Sequence, residues 1–211
     1  MTRAPRRLPL PLRLMATLTV ALPLTAGSAL AAPGVAGATA AHSAPNCNTA
    51  PAGDAFYVPP SPLPAGPHGG IIWCRSSASP VAGAKAWQIL YLSSTVSGAP
   101  TAVSGTVLVP TAAYSGTRPV VAYASGTQGW GDQCAASKEM VAGNFDEQFA
   151  VNNLLSKGWA VVVTDYPGLG TPGDETYNVG IPEGYAVLDS LRAATLLPGS
   201  RFAGLPAPSN C

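Results

Sequence analysis

Residues 159–165, with the sequence WAVVVTD, constrain the fold of this chain more than any other segment. The run is apolar and largely β-branched, and it lacks the polar alternation of a strand with one face in water. Such a pattern is typical of a strand buried on both faces, which occurs in sheets that helices cover on each side. The segment therefore predicts an α/β architecture.

The surrounding segments predict which part of such a sheet is present. Residues 86–95 and 101–109 alternate in polarity around a Gly-Pro turn and predict an antiparallel hairpin. The other expected elements are an extended proline-rich segment at 54–67, strands at 71–74 and 118–123, helices at 146–157 and 182–197, and a final loop at 197–211. A hairpin followed by strand, helix, strand and helix is the first half of an α/β sheet. The last helix should lead into a further parallel strand, and none is predicted.

The first 31 residues predict a cleaved signal peptide. Four arginines precede a short apolar run, and Ala29-Leu30-Ala31 has the small-residue pattern of a cleavage site. The run is about half of the ~20 residues that a membrane helix needs, so we expect no transmembrane segment after cleavage. General secretion is favoured over twin-arginine export. Residues 32–53 are interpreted as a flexible leader, and residues 54–211 as the folded domain.

Charge excludes several classes of partner. Only 10% of the residues are charged and 47% are hydrophobic, which is unlike a coiled coil or a disordered tail. Cleavage would remove four of the 11 basic residues and none of the 10 acidic ones, leaving a net charge of −3. A mildly acidic protein of this kind has no electrostatic basis for binding nucleic acid or anionic lipid.

The cysteines favour disulfides over a metal site. All four lie in the exported part, at Cys47, Cys74, Cys134 and Cys211, and an even number in an oxidising compartment is typical of disulfide pairing. Three pairings are possible, and Cys47 with Cys74 is favoured because it closes a short loop. Cys134 is then left for Cys211 or for another chain. The sequence has no CxxC pair and only two histidines, His42 and His68, so neither a metal nor a cofactor is expected.

Five segments together resemble the secretory lipases, the exported α/β-hydrolases of actinobacteria and fungi that include the fungal lipase A type. The motifs are DxFYxPP, GTVxVP, YASGTQGxGDQCAxS, TDYxGLG and EGxAVLD, at residues 54–60, 105–110, 123–137, 164–170 and 183–189. The resemblance runs from about residue 54 to residue 197. It implies the N-terminal half of an α/β-hydrolase fold, truncated before the strand that carries the nucleophile.

The resemblance also implies roles for two loops. The loop at 125–129 would supply an oxyanion donor, with Gln128 the favoured position, Thr127 second and Gly126 beside them. Tyr166, after the buried strand, would line the substrate pocket. Asp165 is interpreted as a cap that orients its loop, and Cys134 as an anchor of the oxyanion loop, since the corresponding fungal cysteine pairs with one much later in the chain.

The catalytic groups themselves are not found in the sequence. No serine has glycine two residues before and two residues after it, and Ser156 is the nearest approach. His42 and His68 lie outside the positions expected for the family's base, and a solvated or packing role is expected for Asp189. A serine triad needs a nucleophile, a base and an acid. The resemblance implies a secreted carboxylic ester hydrolase or triacylglycerol lipase with a serine acyl-enzyme mechanism, whose nucleophile, acid and base we expect to be absent from this chain. The alternative is a catalytically silent fragment or binding remnant.

Overall fold

The central strand of the structure is β5, Ala160–Thr164, and all five of its residues are buried. The computed structural model describes residues 45–200 and 202. On one side of β5, Val162 packs in a cluster with residues of the last helix, and on the other Val161 and Val163 pack in a second cluster with the two shorter helices. The predicted strand with two buried faces is confirmed.

Five strands form one mixed sheet in the order β1-β2-β3-β5-β4. Their bounds are β1 Ile71–Ser77, β2 Ala84–Ser94, β3 Pro100–Pro110, β4 Val120–Ala124 and β5 Ala160–Thr164. The pairs β1–β2, β2–β3 and β3–β5 are antiparallel, and β4 runs parallel to β5. The predicted hairpin and the change to parallel pairing are both confirmed.

Three α-helices cover the sheet, and the sequence pattern had indicated two of them. They are α1 Ala136–Ala142, α2 Gln148–Ser156 and α3 Gly180–Leu196. Helix α1 was not predicted, because its seven residues are too few to show a clear apolar period. It ends at Gly143, whose φ of +77° is the left-handed conformation that closes many helices.

The buried face of α2 differs from the expected one. Phe149 and Leu154 are apolar and lie at helical spacing in the sequence, which predicts a shared buried face, but the Phe149 side chain is 74% exposed. The buried side chains are instead Val151 and Leu155, which are one turn apart and therefore share a face. The spacing predicts the helix correctly, but contact with the sheet determines which face of the helix is buried.

The proline-rich segment begins differently from the prediction. Residues Gly53–Tyr57 form a 3₁₀ helix rather than extended chain, and both Phe56 and Tyr57 are buried. The two rings pack with Leu90 of β2, which gives the turn its apolar anchor. From Val58 to Pro67 the chain has no regular secondary structure.

Residue Phe202 lies within the segment that the sequence predicts as a loop after α3. It makes a parallel bridge with Arg118, two residues before β4 begins. The bridge lies on the side of β4 away from β5, because β5 already occupies the other side. Among the described residues, a single bridge therefore lies beside β4, within a segment rich in Gly and Pro.

A disulfide attaches the start of the described chain to the sheet. The predicted disulfide between Cys47 and Cys74 is confirmed, and its S–S distance is 2.00 Å. The predicted signal peptide, most of the predicted leader, His42 and Cys211 lie outside the described residues. Within them, no helix combines the length and apolar character that crossing a membrane requires.

Candidate active site

Two loops meet at the carboxyl edge of the parallel strands. Residues 125–129 follow β4 and Tyr166 follows β5, and parallel neighbours end at the same edge of a sheet, where α/β proteins place ligands. The Tyr166 hydroxyl donates a hydrogen bond to the Ser125 carbonyl at 2.8 Å. A cavity of about 150 Å³ lies between the loops and is lined by Gln128, Tyr166 and Tyr177 among others.

The backbone N–H groups of the first loop differ in availability. Gly126 donates its N–H to the Glu147 carboxylate at 2.9 Å, so this group is already used. Within the described part of the chain, the N–H groups of Thr127 and Gln128 have no acceptor. The Gln128 amide folds back and donates to the Gly126 carbonyl at 3.2 Å, while Thr127 donates its hydroxyl to Tyr177 at 3.2 Å. Two adjacent backbone donors are therefore free beside the cavity.

Tyr166 is a hydrogen-bond donor at neutral pH. Burial is the main cause that raises its pKa to about 12, and the nearby carboxylate of Glu183 adds to the shift. The phenol thus keeps its proton, in agreement with its bond to the Ser125 carbonyl. The structure places Tyr166 in the wall of the same cavity as Thr127 and Gln128.

Asp165 holds α1, which lies beyond the loop at 125–129 in the chain. Its Oδ1 accepts the backbone N–H of Ser137, in the first turn of α1, at 2.9 Å, and its Oδ2 accepts the hydroxyls of Ser104 and Ser137, each at 2.5 Å. Burial raises the pKa of Asp165 above its ordinary value of 3.8, and the hydrogen bonds from Ser104 and Ser137 oppose that shift. The carboxylate therefore caps α1, whereas the sequence predicts that it orients the loop following β5, with which it makes no side-chain hydrogen bond among the described residues.

The bonds continue from Asp165 into the hairpin. Ser137 meets the Tyr57 hydroxyl at 3.1 Å, and Tyr57 accepts from the Gln88 amide at 2.7 Å. Arg75 then donates to Gln88 at 2.8 Å. Since the Ser137 hydroxyl donates to Asp165, the Tyr57 hydroxyl is the donor toward Ser137. The carboxylate at the active-site edge is thereby connected to residues of β1 and β2.

Cys134 packs against the oxyanion loop. Its Sγ lies so close to Gly129 that a Cβ at Gly129 would be 2.4 Å away, and Gly129 has a φ of +144°. Glycine is therefore required at this position. Within the described residues Cys134 is a free thiol, and its expected partner Cys211 lies outside them.

His68 and Asp189 are hydrogen-bonded to each other, although they lie 121 residues apart and no sequence motif connects them. Asp189 is fully buried in α3 and accepts from His68 Nδ1 at 2.9 Å, from the Ser93 hydroxyl at 2.8 Å, and from Arg192. The expectation of a solvated or packing role is thus corrected to one of a buried hydrogen-bonded carboxylate. Ser156, in contrast, is exposed at the end of α2 and donates to the Asn153 carbonyl.

The sheet order, the helices on its two faces and the loops at its carboxyl edge define a partial α/β-hydrolase fold. The Secretory lipase family model matches residues 136–206, which confirms the resemblance seen in the sequence motifs. The matched segment includes α1, Asp165 and α3. No curated protein sequence matches the chain.

Solved lipases and esterases share the fold. Candida antarctica lipase A in its closed state is 24% identical with a TM-score of 0.56, over 73% of this chain and 37% of that structure. A mutant of the rice cell wall degrading esterase LipA from Xanthomonas oryzae is 23% identical with a TM-score of 0.56, over 65% of this chain and 41% of that structure. The chain thus spans about two fifths of these structures. Together the findings show that the chain shares part of the fold of these lipases and esterases.

Several residues that organise the edge were not found from the sequence. Glu147, Ser104 and Ser137 bind the two loops from elements that are distant along the chain. The signal for Ser137 was its place in the motif at 123–137. Glu147 had no such signal, because one carboxylate before a helix is usually interpreted as part of its first turn.

Proposed function

We propose that these residues form the oxyanion side of the active site of a secreted carboxylic ester hydrolase that acts on acylglycerols or similar lipid esters through a serine acyl-enzyme. The observation that carries the proposal is the pair of free backbone N–H groups at Thr127 and Gln128 beside the cavity. Donors in this position stabilise the negative oxygen of a tetrahedral intermediate, and one such donor is worth ~3–4 kcal/mol of barrier.

Gln128 is the principal donor and Thr127 the second. Gly126 serves the loop differently from the expectation, since its N–H binds Glu147 and thereby fixes the start of the loop. The Asp165 carboxylate holds α1, which begins seven residues after the loop, so the segment that carries the donors is anchored on both sides. Preorganised donors of this kind cost no reorganisation when charge develops.

The substrate class and the export follow from separate observations. The match to the Secretory lipase family and the fold shared with lipases and an esterase support a lipid or carboxylic ester as substrate. The Cys47–Cys74 disulfide supports an oxidising compartment, in which such bonds persist. The predicted signal peptide at 1–31 agrees with both.

Ester binding without turnover is the alternative function. It is favoured by the lack of any G-x-S-x-G motif in the 211 residues. The two functions differ in one assay, the hydrolysis of p-nitrophenyl butyrate by the purified protein. Turnover that falls with Gln128→Pro and persists with Gln128→Ala supports an active hydrolase, whereas no turnover dependent on Gln128 supports binding alone.

The oxyanion donors are tested directly by titration with a short-chain alkylphosphonate monoester, an unreactive anion with the shape of the intermediate. Backbone ¹⁵N–¹H spectra should show the largest downfield shifts at Gln128 and Thr127, because an N–H that binds an anion is deshielded. Gln128→Pro removes the donor and should weaken binding about 10-fold or more, as for a hydrogen bond to a charged group. Gln128→Ala keeps the N–H and is the matched control. Shifts confined to other residues would contradict the assignment.

A further inference from the structure

Three side chains outside the candidate active site form a continuous hydrogen-bonded series. The Ser94 hydroxyl lies 3.3 Å from His68 Nε2, and His68 Nδ1 lies 2.9 Å from Asp189 Oδ2. Asp189 is fully buried, whereas 51% of the His68 side chain is exposed. Hydroxyl, imidazole and buried carboxylate thus follow in the order that nucleophilic catalysis by serine requires.

The fold brings these residues together through a tight contact between a loop and α3. Gly69 has a φ of +76°, and a Cβ there would lie 2.4 Å from Arg192 Cβ and 2.7 Å from the Asp189 carbonyl oxygen. On its other side, Gly69 donates its N–H to the Leu92 carbonyl of β2 at 2.8 Å. His68 is therefore held between the end of β2, which carries Ser94, and the helix that carries Asp189.

The carboxylate determines which imidazole nitrogen bears the proton. Asp189 accepts from Ser93 and Arg192 as well as from His68, so it acts as an acceptor toward Nδ1. In the neutral ring Nδ1 then carries the hydrogen and Nε2 has the lone pair, and Nε2 is the nitrogen that faces Ser94. The Tyr185 ring packs against the imidazole edge, with 6.0 Å between the ring centres.

Ser94 and His68 line a cavity of about 440 Å³ that also has apolar walls. Its apolar lining includes Leu63, Pro64 and Leu92. Ala65 and Gly66 border the same cavity, and their N–H groups have no acceptor in the described part of the chain. The cavity that Ser94 lines thus also has an apolar lining and is bordered by two residues whose backbone N–H groups have no acceptor.

We propose that Ser94 is a nucleophile activated by His68, with Asp189 as its positioning residue, in a second site that accepts acyl groups from small esters. The Ser94 oxygen bonds to the ester carbonyl carbon while its proton passes to His68 Nε2. The bond to the alcohol oxygen then breaks, and the alcohol leaves with that proton. Water hydrolyses the acyl-serine by the same steps in reverse and releases the carboxylic acid.

This site shares no residue with the loops at 125–129 and 165–170, so it is independent of the proposed oxyanion site. Each of the two proposals can also be refuted without affecting the other. Loss of anion binding at Gln128 leaves Ser94 unaffected, and an unreactive Ser94 leaves the backbone donors unaffected.

The experiment is phosphonylation of the purified protein with a fluorophosphonate, which replaces fluoride by the attacking oxygen. Tandem mass spectrometry should locate the adduct at Ser94. The variant His68→Gln should lower the labelling rate about 100-fold, the lower range for loss of a general base. Ser97 is the matched control, since it is exposed, lies three residues away and bonds Thr95 rather than an imidazole. Ser97→Ala should leave the rate unchanged.

Asp189→Asn tests the positioning role. It should lower the labelling rate and move the His68 ring hydrogen from Nδ1 to Nε2, which the imidazole ¹⁵N shifts report; a purely structural role would leave the tautomer as it is. Circular dichroism establishes that each variant is folded. The proposal is overturned if folded protein is not labelled at Ser94, if Ser97 is labelled as fast, or if His68→Gln labels at the unaltered rate.

Discussion

The substitution Ser137→Ala tests how strongly the active-site edge depends on the buried Asp165 network. The change deletes one hydroxyl from a residue that is 0% exposed. Two bonds are lost, the donation to Asp165 at 2.5 Å and the acceptance from Tyr57 at 3.1 Å, while the backbone N–H still binds Asp165. A bond to a charged group is worth ~1.5–3 kcal/mol and a neutral one ~1 kcal/mol, so we expect a loss of about 2–4 kcal/mol in the free energy of unfolding.

The assay is thermal and urea unfolding followed by circular dichroism. For a domain of this size the expected loss lowers Tm by about 5–15 °C. Ser190→Ala is the matched control, because Ser190 is equally buried but its hydroxyl donates only to the Val187 carbonyl of the same helix. We expect that control to change stability by less than ~1 kcal/mol. If the two variants lose the same stability, the network does not contribute as argued.

Three further predictions concern other parts of the described fold. Burial raises the pKa of Asp165 in the folded state, so ionisation of Asp165 opposes folding. The free energy of unfolding of the wild type, relative to that of Asp165→Asn, should therefore be greatest below pH 3.8 and should fall as the pH rises through the raised pKa. Urea unfolding at a series of pH values measures this difference. Gly69→Ala should lower the free energy of unfolding by at least ~2 kcal/mol more than Gly83→Ala. Both glycines have a φ of +76°, but only Gly69 is in close contact with α3. Equal urea midpoints for the two variants would contradict this prediction. Replacing both Cys47 and Cys74 by serine should lower the free energy of unfolding by ~3.5 kcal/mol, because the disulfide no longer closes a 27-residue loop in the unfolded chain. An unchanged Tm would refute this prediction.

Most of the sheet could be predicted from the sequence, because the pattern that indicates each strand lies within a single segment. The β-branched run at 159–165 and the alternating hairpin each show their burial pattern within a single segment. The rotation of α2 was not predictable, since Phe149 and Val151 are both apolar and only contact with the sheet chooses between them. Helix α1 is too short for its period to be visible.

The candidate loop at 125–129 could be chosen from its motif, but its hydrogen bonds could not be predicted. The use of the Gly126 N–H depends on Glu147, which is 21 residues further along the chain. The contact of His68 with Asp189 spans 121 residues and requires the positive φ of Gly69. Contacts of this kind arise from tertiary packing, and a single sequence does not contain a local pattern for them.

The parallel bridge at Phe202 has a consequence for the order in which the sheet assembles. The hairpin of β2 and β3 joins neighbouring segments, so its loop closes at a small entropic cost, whereas Arg118 and Phe202 are separated by most of the second half of the chain. During synthesis, β4 leaves the ribosome well before either of its flanking partners. We therefore expect the antiparallel half of the sheet to form first and the later strands to pair onto it. β4 should be the last strand to gain neighbours on both sides.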